Sequence, residues 1–375
     1  MEAVIGWLCF SRLAPVPMLC SLARPGPELS ACSEIVRSWE RSERLASQAR
    51  DAMHKRLFGE QLSESRRPIA NSVTPSRAPY TGIWSPFDYW EPTHSCVDDL
   101  RIPIGLVGDG AKWLCGPRAH RQGCKALSLG SNFEDSFERA IYDLAGCSSY
   151  IVDPTLVPRD RDGRLRSFVE RIGQHGSVLN ATVGVGASSG IRVRLAGKET
   201  RYATLVSLRE LLLSKYGAHV HLDVAKVGFA ARNLPRTLRC VSLHSSAASH
   251  ALGQVDVEGG EFDVIPEMGA MCAEGVLTVD QLNVEVHRAP RRHRTKMSEF
   301  TALFEGTRLC GLMIHHKERN NWARGENEVV EYAWVSPLHA ARTMLQAMRS
   351  ISGSGGPGHI NRNRSTDGAF SYGIR

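Results

Sequence analysis

Cys124-Lys-Ala-Leu-Ser-Leu-Gly-Ser-Asn-Phe-Glu-Asp-Ser-Phe-Glu138, followed shortly by Tyr150-Ile-Val-Asp-Pro-Thr155, decides the fold. The first stretch passes from an apolar run through Gly130-Ser131 into a helical pattern, and the second is a short β-type run ending in an acid. Strand, tight turn, helix, strand, acid is the opening half of a nucleotide-binding α/β domain. The chemistry suits an adenosine-bearing ligand. A glycine turn lets backbone amides approach such a ligand, and a carboxylate after the second strand accepts hydrogen bonds from both ribose hydroxyls.

Working outward, the pattern is that of a doubly wound, mostly parallel sheet. Strands are expected at 124–129, 149–153, Ser177 to Val185, His219 to Val224 and Gln281 to His287, with helices at 134–146, 163–174 and 204–216. Runs at 309–315 and 329–335, separated by a polar, Asn-rich turn, suit a closing hairpin. Upstream, Ile35, Trp39, Leu45, Ala49, Met53 and Leu57 recur at helical spacing, so 34–64 reads as a helical extension and 65–103 as a linker. The main domain is placed at 104–349, and the Gly/Ser/Asn/Arg-rich 350–375 reads as a disordered tail.

The chain has 375 residues, 42% hydrophobic and 23% charged, which is the composition of a globular protein with a full core. No run approaches the roughly 18 apolar residues of a spanning helix. Residues 1–33 open on an apolar, small-residue-rich stretch, interrupted by Arg12 and with Glu2 where a secretory signal would start basic. A weak signal or anchor, with weak membrane association, stays open there, as does the compartment: secretory pathway or Golgi, or cytoplasm. The ten cysteines include Cys96, Cys115, Cys124 and Cys147 around the start of the core, which suit disulfides in a secreted chain. No CxxC pair occurs, and no metal is expected. The charge of +7 is mild, with Arg288, Arg291, Arg292, Arg294 and Lys296 in one loop-like cluster. No aromatic interleaving or motif points to nucleic acid.

Six motifs follow one another in order: Gly108-Asp-Gly-Ala-Lys-Trp-Leu-Cys115, Ser128-Leu-Gly-Ser131 with Phe137-Glu138, Val152-Asp-Pro-Thr155, Val255-Asp-Val-Glu-Gly-Gly-Glu-Phe262, Gln281-Leu-Asn-Val-Glu-Val-His287 and Lys317-Glu-Arg-Asn320. Together they resemble those of the methyltransferase-like family, which includes vertebrate proteins of the secretory pathway. The fourth is also similar to FkbM sugar O-methyltransferases. The resemblance implies a class I S-adenosylmethionine-dependent methyltransferase with a Rossmann-like seven-stranded sheet. It implies that Gly130, Ser131 and Asn132 line the methionine end, that Asp153 holds the ribose, and that Asp256 and Glu258 close the fourth strand on the cofactor side. The chain departs from the usual glycine-rich pattern at Ser131-Asn132.

Between Lys226 and Val255 the strand's expected acidic continuation is delayed by Val227 to Gln254, which lacks periodic apolar pattern. A Val codon can begin GT and a Gln codon can be CAG, so a translated retained intron is one reading and a long lid the other.

Methyl transfer is an in-line displacement, so the protein has mainly to position the acceptor and take its proton. Glu285 and His287 are two apart on one strand and fall at its C-terminal end, where open α/β sheets bind ligands. His287 reads as the general base, with Glu285 orienting the imidazole or binding the substrate. The expected activity is O-methylation of a sugar or other hydroxylated small molecule, with S-adenosylmethionine as cofactor, a small-molecule or glycan acceptor and no nucleic acid partner. The alternative is a methyltransferase fold that has become a binding module. A nicotinamide-dependent oxidoreductase would need a fuller Gly-x-Gly-x-x-Gly turn, which is absent.

Overall fold

The computed structural model describes residues 20, 23–58, 86–97, 100–106, 111–121, 123–131, 133–154, 156, 163–179, 183–186, 189, 192–195, 201–227, 259–288, 295–320 and 329–353. The long helix α1 (Pro27–Phe58) opens the described chain. A short antiparallel pair, β1 (Arg101–Ile104) and β2 (Lys112–Cys115), precedes the main domain. There follow β3 (Lys125–Leu129), α2 (Ser136–Ala145), β4 (Ser148–Val152), α3 (Arg164–Ile172) and β5 (Gly176–Val178). A small three-stranded sheet comes next, from β6 (Val183–Val185), β7 (Arg192–Leu195) and β8 (Arg201–Val206). The chain then returns to the main sheet through α4 (Leu208–Tyr216), β9 (Val220–Val227), α5 (Glu261–Ala273), β10 (Leu277–His287), α6 (Met297–Leu309), β11 (Met313–Arg319), β12 (Val329–Val335) and α7 (Pro337–Gly353).

The main sheet has seven strands in the order β11-β12-β10-β9-β3-β4-β5. Its neighbours are parallel except at β12, which runs antiparallel to both β10 and β11. Both faces are covered, as a parallel sheet requires. Leu127, Leu129, Tyr150, Ala225, Val227 and Val284 point into the larger core, which includes α4, α5 and α6. Ala126 and Val224 share the opposite core with Phe137 and Ile141 of α2 and with Ile104 and Leu114 of the β1–β2 pair. Helices α1 and α7 pack on each other through Val36 and Leu338.

Several boundaries differ from those expected, each for a local reason. Residues 204–206 are strand, because Ser207 caps the helix that follows by accepting a hydrogen bond from the Glu210 amide at 3.1 Å. The expected strand from Ser177 to Val185 is two strands in different sheets. The first arm of the hairpin begins at Met313 because α6 runs on to Leu309. The expected linker ends early: Phe87 and Trp90 are buried in the main core, and the Trp90 ring stacks on Phe304 with centroids 4.2 Å apart. Burying one such ring is worth about 2 kcal/mol, which a solvated linker would forgo. The helical extension starts at Pro27, whose fixed φ suits a first helical position. At the other end α7 extends to Gly353, four residues into the expected tail, and 354–375 lies outside the described residues.

Four disulfides occur among the described residues: Cys20–Cys32, Cys96–Cys115, Cys124–Cys147 and Cys272–Cys310. No helix among them is long and apolar enough to cross a membrane, and residues 1–19 lie outside the description.

Candidate active site

The C-terminal ends of β3, β4, β9 and β10 converge on one rim of the sheet. At the end of β3, Gly130 takes φ +86°, a conformation L side chains disfavour, and its amide donates to the Val152 carbonyl at 2.9 Å. The next amide, of Ser131, donates to Asp153 Oδ2 at 2.7 Å, and the Ser131 hydroxyl lies 3.5 Å from the same oxygen. Asp153, buried after β4, thus fixes the glycine turn from across the strand pair. Phe133 adopts φ +66° in the same loop, and its ring meets Phe168 edge-on at 5.8 Å. A bulky residue in the left-handed region costs roughly 1–3 kcal/mol, so the surrounding packing has to hold this loop. Asn132 lies outside the described residues.

Beneath the turn is a buried polar layer that the sequence reading did not single out. Ser128 Oγ donates to Glu138 Oε1 at 2.5 Å, and Lys226 Nζ donates to the same oxygen at 2.9 Å. Ser128 and Lys226 are register partners on β3 and β9, and Asn283 is the partner of Lys226 on β10. Glu138 Oε2 and Asn283 Nδ2 are buried without a hydrogen-bond partner among the described residues. A glycine turn in the left-handed conformation, an adjoining carboxylate and an orphaned acceptor below them fit an adenosine-bearing cofactor at this rim.

His287 ends β10. Its backbone amide and its Nδ1 both lie 3.0 Å from Glu261 Oε1, while Glu261 Oε2 accepts from the Gly259 amide at 2.8 Å. Glu261 is fully buried in the first turn of α5, where the helix dipole favours its charge. The expected partner was Glu285, so the assignment is corrected: the imidazole is oriented by Glu261. Glu285 shares the strand but sits in register with Glu331 of β12, whose carboxylate takes Lys112 Nζ at 2.6 Å. Lys112 belongs to the Gly108–Cys115 motif, which docks the β1–β2 pair on the sheet; the Cys115 amide also donates to Gln281 Oε1 at 2.7 Å. Asp256, Glu258 and the basic residues Arg291, Arg292 and Arg294 lie outside the described residues. The signal for Glu261 was present in sequence as an acid just after Gly259-Gly260 at a helix start.

A seven-stranded sheet of this order, with one antiparallel strand set inside a closing hairpin and a glycine turn facing an acid across the first two strands, defines a class I methyltransferase. Residues 53–185, a span containing the Gly130 turn and Asp153, match the family model described as a methyltransferase domain. The chain carries that domain and is an S-adenosylmethionine-dependent methyltransferase.

No curated protein matches the chain significantly. Among solved structures it is similar to the delta-N METTL16 MTase domain, at 12% identity and a TM-score of 0.29, over 58% of this chain and 75% of that one. It is likewise similar to the N-methyltransferase NodS from Bradyrhizobium japonicum, at 12% identity and a TM-score of 0.29, over 58% and 87% of the two chains. Likenesses this distant say nothing of the acceptor.

Proposed function

We propose that this methyltransferase acts on a hydroxyl group of a sugar or other small hydroxylated acceptor, with His287 as the general base. The carrying observation is the Glu261 carboxylate at 3.0 Å from His287 Nδ1. A carboxylate there places the imidazole proton on Nδ1 and the lone pair on Nε2, and it stabilises the imidazolium formed when Nε2 takes a proton. That suits an acceptor which must lose its proton as the methyl group arrives. The cofactor supplies an electrophilic methyl group on a sulfonium. Asp153 and the Gly130–Ser131 turn hold the adenosine and methionine ends, while the buried Glu138–Lys226 pair braces β3, β9 and α2 beneath them. The similarity of Asp256-Val-Glu-Gly-Gly-Glu-Phe262 to sugar O-methyltransferases supports a polyhydroxylated acceptor. The disulfides support maturation in an oxidising compartment such as the secretory pathway.

The test is release of S-adenosylhomocysteine by the purified chain against panels of glycans and small alcohols, amines, and RNA hairpins. Turnover confined to hydroxylated acceptors and lost in His287→Ala is the expected outcome. Turnover on amines or RNA alone replaces the acceptor class. Cofactor binding with no turnover on any panel favours the binding-module reading, to which the Ser131-Asn132 departure from the glycine-rich pattern points.

A further inference from the structure

One face of β10 carries four polar side chains in a line: Gln281, Asn283, Glu285 and His287. Successive residues of a strand alternate faces, and Leu282, Val284 and Val286 fill the apolar core on the other side. The line is satisfied at its two ends and not in its middle. Gln281 Oε1 takes the Cys115 amide at 2.7 Å, and His287 is held by Glu261. Asn283 is 2% exposed, and its Nδ2 has no hydrogen-bond partner among the described residues. Glu285 is 8% exposed and makes no hydrogen bond or ion pair among them.

The polar neighbours are engaged elsewhere. Asn283 lies between Lys226 of β9 and Ala333 of β12. Lys226 is drawn to Glu138 at 2.9 Å, and Ala333 has no polar side chain to offer. Glu285 begins a row of three carboxylates across β10, β12 and β11, continued by Glu331 and Glu318. Glu331 has Lys112 at 2.6 Å, and Glu318 accepts from Trp113 Nε1 at 2.8 Å. Like charges directly opposite on neighbouring strands destabilise a sheet, and a buried donor without a partner costs its lost hydration. Two such costs adjoin the proposed base. A ligand that bonds to both groups removes them.

The two groups define the chemistry of that ligand. An amide N–H donates and a carboxylate accepts, so the ligand must accept at Asn283 and donate at Glu285. Hydroxyls do both. An ammonium group suits Glu285 but has no lone pair for Asn283, while a phosphate or carboxylate suits Asn283 and is repelled by Glu285 and Glu331. Residues two apart on a strand are about 6.7 Å apart, so Asn283, Glu285 and His287 are spread over about 13 Å and meet different hydroxyls of one molecule.

We propose that Asn283 and Glu285 determine acceptor specificity, selecting a neutral polyhydroxylated ring whose reacting hydroxyl lies at His287 and whose other hydroxyls are read by the strand behind it. The inference rests on the hydroxyl-acceptor reading given above and narrows it. Uncharged sugars are acceptors; uronates, amino sugars and single alcohols are poor ones.

The test measures S-adenosylhomocysteine release by the full chain with the methyl pyranosides of glucose, galactose, mannose and N-acetylglucosamine, with glucuronic acid and glucosamine, and with cyclohexanol, a ring bearing one hydroxyl. At least one neutral pyranoside should exceed the charged sugars and cyclohexanol by about tenfold or more in kcat/KM, because groups built to bond hydroxyls reject a molecule that lacks them. Glu285→Gln and Asn283→Leu should each raise the KM of that pyranoside about tenfold or more, with kcat and S-adenosylmethionine affinity near wild type. Glu318→Gln keeps an oxygen for Trp113 and should behave as wild type. Asn283→Leu removes the unpaired donor and Glu285→Gln the unpaired charge, so the Tm of each without acceptor should equal or exceed that of wild type. A structural role gives the reverse, a fall in Tm with KM unchanged, and that result overturns the proposal. Cyclohexanol used as well as the pyranosides keeps the hydroxyl reading and overturns the specificity role, and a preference for glucuronic acid or glucosamine overturns the neutral acceptor. A wild type active on none of these probes overturns both.

Discussion

One oxygen of Glu261 accepts both the backbone amide and the Nδ1 of His287, each at 3.0 Å. A buried acid at the start of α5 therefore sets both the position of the end of β10 and the tautomer of its last side chain. The contact joins two elements on the cofactor rim, so the geometry of the base depends on the segment that leads into α5.

His287→Ala should lower turnover about a hundredfold or more, the scale of lost general-base catalysis, while S-adenosylmethionine affinity stays near wild type. Glu261→Gln keeps a hydrogen-bond acceptor and loses the charge, so it should cost less and shift the pH–rate profile. Glu285→Gln should cost least, because Glu285 does not hold the imidazole. Steady-state kinetics and calorimetry on the three variants check the order. Full turnover in His287→Ala would move the acceptor's proton to another route.

Asp153→Asn should weaken S-adenosylmethionine binding by about 1.5–3 kcal/mol, the scale for hydrogen bonds to a charged group. The variant keeps an oxygen for the Ser131 amide, so the loss should appear in titration calorimetry without a matching fall in Tm. Asp153→Ala should lower both, because the 2.7 Å bond that fixes the turn goes with it. Unchanged affinity in Asp153→Asn removes this residue from the site.

The glycine turn, the acid after β4 and the strand ending in His287 were legible because each is a local pattern. Apolar period, a glycine and an acid lie within a few residues of one another there. The partner of His287 was not legible, since Glu261 reaches it across a helix and a strand. The same holds for His221, Asp223 and Asp280, apart in the chain and gathered only when β9 and β10 pair. Phe87 and Trp90 were hidden by their Pro/Ser-rich surroundings, although an aromatic cluster within a polar stretch was the available sign of burial.

Residues 227–254 are expected to be absent from the functional product. β9 is whole through Val227, which pairs with Val284 and Leu129, and joining Lys226 to Val255 would put the same residue type in that place. Residues 228–258 lie outside the described structure. Transcript sequencing across the Lys226 codon should show the Lys226–Val255 junction, and the shortened protein should unfold more cooperatively. If every transcript carries the segment and its deletion unfolds the protein, the segment is a lid.

Gly269 and Gly306 let α5 and α6 touch backbone to backbone. A Cβ built on Gly269 would lie 2.5 Å from Gly306 Cα, and one on Gly306 would lie 2.5 Å from the Ile265 carbonyl oxygen. Neither obstacle is a flexible side chain, so Gly306→Ala should force the helices apart and cost about 1–3 kcal/mol in chemical denaturation. A stability equal to wild type would show that the pair can slide.

His315 on β11 should make the fold acid-sensitive. It is buried, neither ring nitrogen has a hydrogen-bond partner among the described residues, and burial pushes its pKa down to about 3. His94 is likewise pushed down, to about 4. An unfolded histidine titrates near 6.5, so between pH 6.5 and 3 the unfolded chain binds a proton that the folded one refuses. Stability therefore rises with pH across that window, is complete above 6.5, and falls on acidification by up to about 1.4 kcal/mol per pH unit from this residue. His315→Phe removes the titrating group, so the difference in unfolding free energy between pH 7 and pH 5 should shrink relative to wild type. Denaturant melts of both proteins at the two pH values measure it, and an undiminished difference in His315→Phe would assign the acid sensitivity to other groups.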